Sequence, residues 1–212
     1  GEGAGGGFQL LSAAVVAQQQ PPPWIVRGLL PADELTLVVG ATSCGKTFLT
    51  MDLLLAVARG EPSWFGYPVK VRGPVVHISL ETRGLPRRLQ AYTKHHDCAM
   101  PPDYYVLGGN VTLHEDCERL IATMQPVQPV VIAIDTVNRA LGGGDENSSA
   151  DMGAFVRAAE RLRLAFPGCA VVLIHHLGKN EERGARGHSS LKAAVGCELV
   201  ITNDGVVSTL TV

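Results

Sequence analysis

Four short runs along the chain are apolar at every or nearly every position: "LTLVV" (35–39), "VVHISL" (75–80), "VVIAI" (130–134) and "AVVLI" (170–174). A strand with one wet face alternates apolar and polar residues, whereas a strand covered on both faces does not. The runs therefore predict a mostly parallel, twisted sheet with helices on both faces, an α/β fold. The segments between them carry helical periods. "TFLTMDLLLAVAR" (47–59) is apolar almost all round, which predicts a buried helix stopped at Arg59 and Gly60. Pro86 opens a second helix with Leu85, Leu89 and Tyr92 on one face. Thr112 and Glu115 have the spacing of a capping box ahead of Cys117, Leu120, Ile121 and Met124. A fourth helix places Met152, Phe155, Val156, Ala159, Leu162 and Phe166 on one stripe. Two further strands, "ELVIT" and "VVSTLTV", lie near Val212, and no internal repeat interrupts the pattern.

The first 22 residues stand apart from this pattern. "GEGAGGG" and "QQQPPP" have linker composition, and "FQLLSAAVVA" between them reads as a short helix or a docking strand. Residues 1–22 are accordingly expected to form a tail, the remnant of a longer polypeptide, and residues 23–212 the folded domain. With 212 residues, 46% hydrophobic and 18% charged, the chain has the composition of a globular α/β domain. No apolar run approaches the ~20 residues that cross a bilayer, so no membrane partner is expected. The five cysteines, Cys44, Cys98, Cys117, Cys169 and Cys197, are odd in number and scattered, with no C-x-x-C pair. That usage points to the reducing cytoplasm and away from a disulfide framework or a zinc site. A net charge of −2 excludes strong whole-surface attraction to DNA, so nucleic acid would be held by local basic loops.

The residues that follow the four strands carry the chemistry: Gly40, Glu81, Asp135 and His175. In an open parallel sheet ligands sit outside the carboxyl ends of the strands, so these four describe one site. "GATSCGKT" (40–47) matches G-x-x-x-x-G-K-[ST] directly after a strand and before a helix, the context of a phosphate-binding loop. Gly40, Ala41, Thr42, Ser43, Cys44, Gly45, Lys46, Thr47 and Phe48 are the expected nucleotide contacts. Lys46 reaches the β- and γ-phosphates of ATP, and the Thr47 hydroxyl ligates Mg²⁺. Cys44 reads as a small filler. Asp135 ends "VVIAID" and suits the second Mg²⁺-site acid. Glu81 has the chemistry to orient and deprotonate the water that attacks the γ-phosphate. A second reading of Glu81, as a cap for the turn before Pro86, also stands.

"PPPWIVRGLLPADELTLVVGATSCGKTFLTMDLLLAVARG", "VVHISLE", "VVIAIDT" and "HHLGKN…RGHSSLKAA" occur in that order. From about residue 24 to 212 the chain resembles the RecA-like P-loop ATPases of the RepA/DnaB replicative helicase group, above all the RepA-type AAA domains of phages and plasmids. The resemblance implies a RecA-like core, ATP and Mg²⁺ as cofactors, assembly into a hexameric ring, and movement along single-stranded DNA in replication. It also implies fusion or docking to a larger replication protein. Glu81 is then the catalytic carboxylate, and His175 or His176 a sensor of γ-phosphate and DNA. Two departures stand out. Many relatives carry glycine where this chain has Ser43, and an acid where it has Gly196.

The histidine pair admits three readings by itself. Zinc fails, because neighbouring strand residues point to opposite faces and no further ligands are suitably spaced. A strand-end imidazole bonded to a backbone carbonyl remains, as does the sensor. Beyond it, Lys179, Arg183, Arg186, His188 and Lys192 are diluted by Glu181 and Glu182, which also suits a solvated surface. By resemblance, Arg186 reaches into the neighbouring subunit's nucleotide. Lys179, Arg183 and Lys192 are the groups of the right type to grip DNA phosphates. The acidic "GGGDENSS" loop is a weaker candidate for the ring's channel.

Overall fold

The computed structural model describes residues 10–20, 22–81, 84–176, 189–204 and 208–212. The chain runs through α1 (Ala13–Ala17), a small hairpin of β1 (Trp24–Val26) and β2 (Leu30–Pro31), β3 (Leu35–Gly40) and α2 (Lys46–Arg59). A second hairpin, β4 (Ser63–Trp64) and β5 (Tyr67–Pro68), precedes β6 (Val75–Ser79), α3 (Leu85–His96), β7 (Tyr104–Leu107) and α4 (Leu113–Met124). Then come β8 (Val131–Asp135), α5 (Val137–Ala140), α6 (Ser149–Ala165), β9 (Ala170–His176), β10 (Cys197–Asn203) and β11 (Ser208–Thr211).

Seven strands form the main sheet in the order β11-β10-β3-β9-β8-β6-β7. All neighbouring pairs are parallel except β10 with β11. The continuous apolar runs explain the burial. Leu35, Leu37 and Val39 face one core with Ile132, Ile134, Val171 and Leu173, covered by α4 and α6. Val38, Val131, Ala133, Val172 and Ile174 face the other, covered by α2 and the β1–β2 hairpin. Successive strand residues thus serve opposite cores, and neither face is left for water.

Local details depart from expectation at four places. The first is β7, an edge strand that the pattern does not flag: its two middle residues are exposed, and it is only four residues long. Both small hairpins were likewise unanticipated. The capping box at α4 is replaced. The Thr112 side chain makes no cap bond, and the Thr112 N–H instead donates to Asp116 Oδ2 at 2.9 Å. Arg119 holds the other oxygen of Asp116 at 2.9 Å, which fixes the shorter acid in place of Glu115. Last, β9 runs on to His176, so the histidine pair lies inside the sheet and not beyond it. The tail contains the short helix α1, capped by Ser12, with no buried residue.

Candidate active site

β3 delivers the chain into the phosphate loop between β9 and β10, where Gly40 pairs with His176 on one side and Ile201 on the other. A Cβ at Gly40 would run into the Ile201 carbonyl oxygen and the Cys44 sulfur, so only glycine passes here. The loop then turns through two left-handed residues, Ser43 (φ 66°) and Gly45 (φ 97°). For Ser43 that conformation costs about 1 kcal/mol, a cost that glycine does not carry. Ser43→Gly is therefore expected to raise the melting temperature by about 2–4 °C. A scan showing no rise would mean that the loop relaxes around serine.

α2 begins at Lys46 with no side-chain cap, which leaves its first N–H groups and partial positive charge to an anion. Lys46 is 3% exposed and folds back over the loop. Its ammonium donates to Gly40 O at 2.8 Å and Ala41 O at 2.7 Å, and lies 3.8 Å from Cys44 Sγ. Burial pushes the Lys46 pKa down, against the raising influence of Cys44, Asp135 and Glu81. A buried ammonium whose short hydrogen bonds go to two neutral carbonyls has room for an anionic acceptor, which a phosphate supplies. Cys44 itself is buried under the loop, as a filler should be.

The acids converge from the next strands. Ser79 pairs with Asp135 in register, and Glu81 follows two residues beyond β6. Asp135 is 1% exposed, and among the described residues neither carboxylate oxygen has a hydrogen-bond partner. Glu81 is partly open to solvent and lies 3.7 Å from His176 Nε2. A cavity of about 300 Å³ brings together Thr42, Lys46, Thr47, Glu81, Arg88 and His176, with Phe48 at its wall. Of the two histidines, His176 faces this cavity, whereas His175 is buried.

These residues fit a nucleoside triphosphate with Mg²⁺. The cradle excludes a Cβ, the helix start is uncapped, and among the described residues Asp135 is buried with only His77 Nε2, at 3.6 Å, near its oxygens, which leaves acceptor capacity for a hard cation. Thr47 and Asp135 would hold the cation and its water shell. When bound, Mg²⁺ neutralises charge on the β- and γ-phosphates.

Three neighbours escaped the sequence reading. Arg88, three residues after Leu85 on α3, lies 5.3 Å over the Phe48 ring at the cavity wall. His77, inside an apolar run on β6, lies 3.6 Å from Asp135, and Tyr104 of β7 is 2.8 Å from the other nitrogen of His77. Lys192 is placed in an ion pair with Glu198 Oε2 at 2.6 Å. Lys179, Arg183 and Arg186 lie outside the described residues. At Gly196 a Cβ would come within 2.6 Å of the Glu34 carboxylate, so an acidic side chain at this position would meet another acid.

Among the described residues no helix is long and apolar enough to cross a membrane. No curated protein matches the chain significantly. Among solved structures, a KaiC-like protein from the hyperthermophilic archaeon Pyrococcus horikoshii OT3 superposes with a TM-score of 0.58 at 15% identity, over 90% of this chain and 82% of that one. At that identity the likeness speaks for the fold, an α/β core of the RecA kind. The model of the family described as AAA domain (AAA_25) matches residues 8–182. That span takes in the phosphate loop, both acids and the histidine pair, and the chain therefore belongs to the AAA domain family as a RecA-like P-loop ATPase.

Proposed function

We propose that this ATPase works as a subunit of a ring that couples ATP hydrolysis to movement along single-stranded DNA in replication. One observation carries the reading. His176, at the end of β9, lies 3.7 Å from Glu81, and the chain passes from it directly into the segment holding Lys179, Arg183 and Arg186. Loss of the γ-phosphate at Glu81 would therefore be felt by the strand that leads into the basic segment. Lys179 and Arg183 grip DNA phosphates, and Lys192 joins them only by leaving Glu198. Arg186 reaches the neighbouring subunit's nucleotide, where an arginine in trans contributes about 10³–10⁵ in rate. A second copy of the chain seats against the apolar groove of about 590 Å³ beside the phosphate cavity, where Met51, Phe65 and Tyr92 meet Phe48 and Arg88. Phe65, 75% exposed, stands at its edge.

The cation and ring of Arg88 and Phe48 offer a flat surface to the nucleobase. Arg88→Ala is expected to weaken ATP about 10-fold, a desolvated cation–π contact being worth roughly 1–2 kcal/mol, while tripolyphosphate binding stays near wild type. Equal losses for both ligands would place Arg88 on the phosphates instead.

The reading is tested with the assembled protein on a forked duplex. Strand displacement that requires ATP supports it. DNA-stimulated hydrolysis without displacement favours an ATPase that loads, recombines or regulates, in the manner of RecA or KaiC. Absence of hydrolysis with and without DNA would leave a nucleotide-sensing module. Mixed rings of Arg186→Ala and Lys46→Ala subunits should regain part of the activity that each lacks alone; no complementation at any ratio would remove the role in trans.

A further inference from the structure

His77 is fully buried in the middle of β6, within a strand otherwise made for an apolar core. An imidazole placed there costs several kcal/mol unless its nitrogens are bonded. The sheet register supplies the partners. His77 pairs with Val106 of β7 and with Ala133 of β8. Tyr104 and Asp135 are each two residues from those positions, so both project from the same face as His77 at the diagonal places. Tyr104 Oη is 2.8 Å from His77 Nδ1. His77 Nε2 is 3.6 Å from Asp135 Oδ2. Three adjacent strands thus line up three polar side chains from the sheet edge to the acid of the nucleotide site, hydrogen-bonded at the first step and 3.6 Å apart at the second.

We propose that Tyr104 and His77 form a buried positioning chain that aims the Asp135 carboxylate at the nucleotide's Mg²⁺. The proposal rests on the reading of Asp135 as the Mg²⁺-site acid. The direction of the contact between Tyr104 Oη and His77 Nδ1 is set by the tautomer of the ring, and in this chain the phenol is the donor to Nδ1. A neutral ring that accepts at Nδ1 carries its hydrogen on Nε2, the nitrogen that faces Asp135. A closure of a few tenths of an ångström makes this a full hydrogen bond. Among the described residues the acid accepts no hydrogen bond from any other group. His77 therefore holds Oδ2 and leaves Oδ1 to the cation's shell, as outer-shell partners do for metal ligands elsewhere.

Three variants test the chain. His77→Phe removes both bonds at similar volume, Tyr104→Phe removes one oxygen, and His77→Gln returns an N–H donor near the Nε2 position. Thermal melts first establish that each is folded. Long-range ¹⁵N–¹H spectra of nucleotide-free wild type should show His77 as the Nε2–H tautomer, with the preference relaxed in Tyr104→Phe; an Nδ1–H ring in wild type would overturn the proposal. The Mg²⁺ midpoint for binding a fluorescent ADP analogue should rise about 10-fold or more in His77→Phe, the usual scale for a lost outer-shell partner. His77→Gln should recover most of that rise. The shift should exceed any change in metal-free binding of the same analogue. Equal shifts with and without metal, or an unmoved midpoint in both His77→Phe and Tyr104→Phe, would overturn the positioning role. If wild type binds no nucleotide under either condition, the assignment of Asp135 to Mg²⁺ fails instead, while the tautomer spectrum still judges the Tyr104–His77 link.

Discussion

Lys46→Ala is expected to fold normally and to bind ATP at least 100-fold more weakly than wild type, a loss of roughly 3 kcal/mol for charge-assisted bonds to phosphate. The size of the effect follows from the geometry of the loop. Lys46 is buried, its ammonium is spent on the loop's own carbonyls at 2.7 and 2.8 Å, and its pKa is pushed down by burial. Binding replaces two neutral acceptors by anionic oxygens at a group already stripped of water, so nearly all the electrostatic gain appears as affinity. The same substitution leaves the apolar packing of α2 in place, because Leu53, Leu54 and Val57 lie further along the helix. The most direct readout is the rise in melting temperature that saturating ATP gives to wild type through mass action. That rise should disappear in Lys46→Ala. An undiminished rise would show that the nucleotide sits elsewhere.

Glu81→Gln should divide binding from chemistry in the opposite sense. The amide keeps the size of the carboxylate but has no basic oxygen for the proton of the attacking water. Turnover is expected to fall by about 10²–10⁴, the usual contribution of a positioned general base, while ATP still produces its thermal shift. Glu81 suits this role because it is partly open to solvent, lines the same cavity as Lys46 and Thr47, and has His176 at 3.7 Å to orient it. Asp135, by contrast, is buried and turned to His77, so it is poorly placed to take a proton from water. Turnover retained in Glu81→Gln would return that residue to the simpler role of a turn cap and move the base to another group.

Much of this site was legible in the order of residues. The phosphate loop announces itself by spacing, and continuous apolar runs fix parallel strands whose carboxyl ends must converge. Gly40, Glu81 and Asp135 follow from that rule, and the structure assembles them with His176 around Lys46. Other features depend on distances that no local pattern encodes. β7, Tyr-Tyr-Val-Leu, is apolar throughout but only four residues long, too short a run to stand out, and its middle residues are exposed at the edge of the sheet. Without that strand, Tyr104 has no place and His77 reads as one polar interruption among apolar neighbours. Arg88 carries no spacing signal, because only the approach of α3 to Phe48 brings it to the cavity. The two histidines were equivalent as letters; the alternation of β9 separates them, sending His176 to the cavity and His175 into the interior. The capping acid at α4 moved by one position because Arg119 secures Asp116, an interaction that spacing alone does not rank.

The central claim is that the ends of four strands make one Mg²⁺-dependent site for ATP hydrolysis. Phosphate release from ATP by the wild-type protein tests it most directly, measured with Mg²⁺ and with excess chelator, beside Lys46→Ala and Glu81→Gln as paired controls. The account requires turnover in wild type with Mg²⁺ and near-background rates in the other three samples. Release that persists without the metal, or that survives both substitutions, would contradict it.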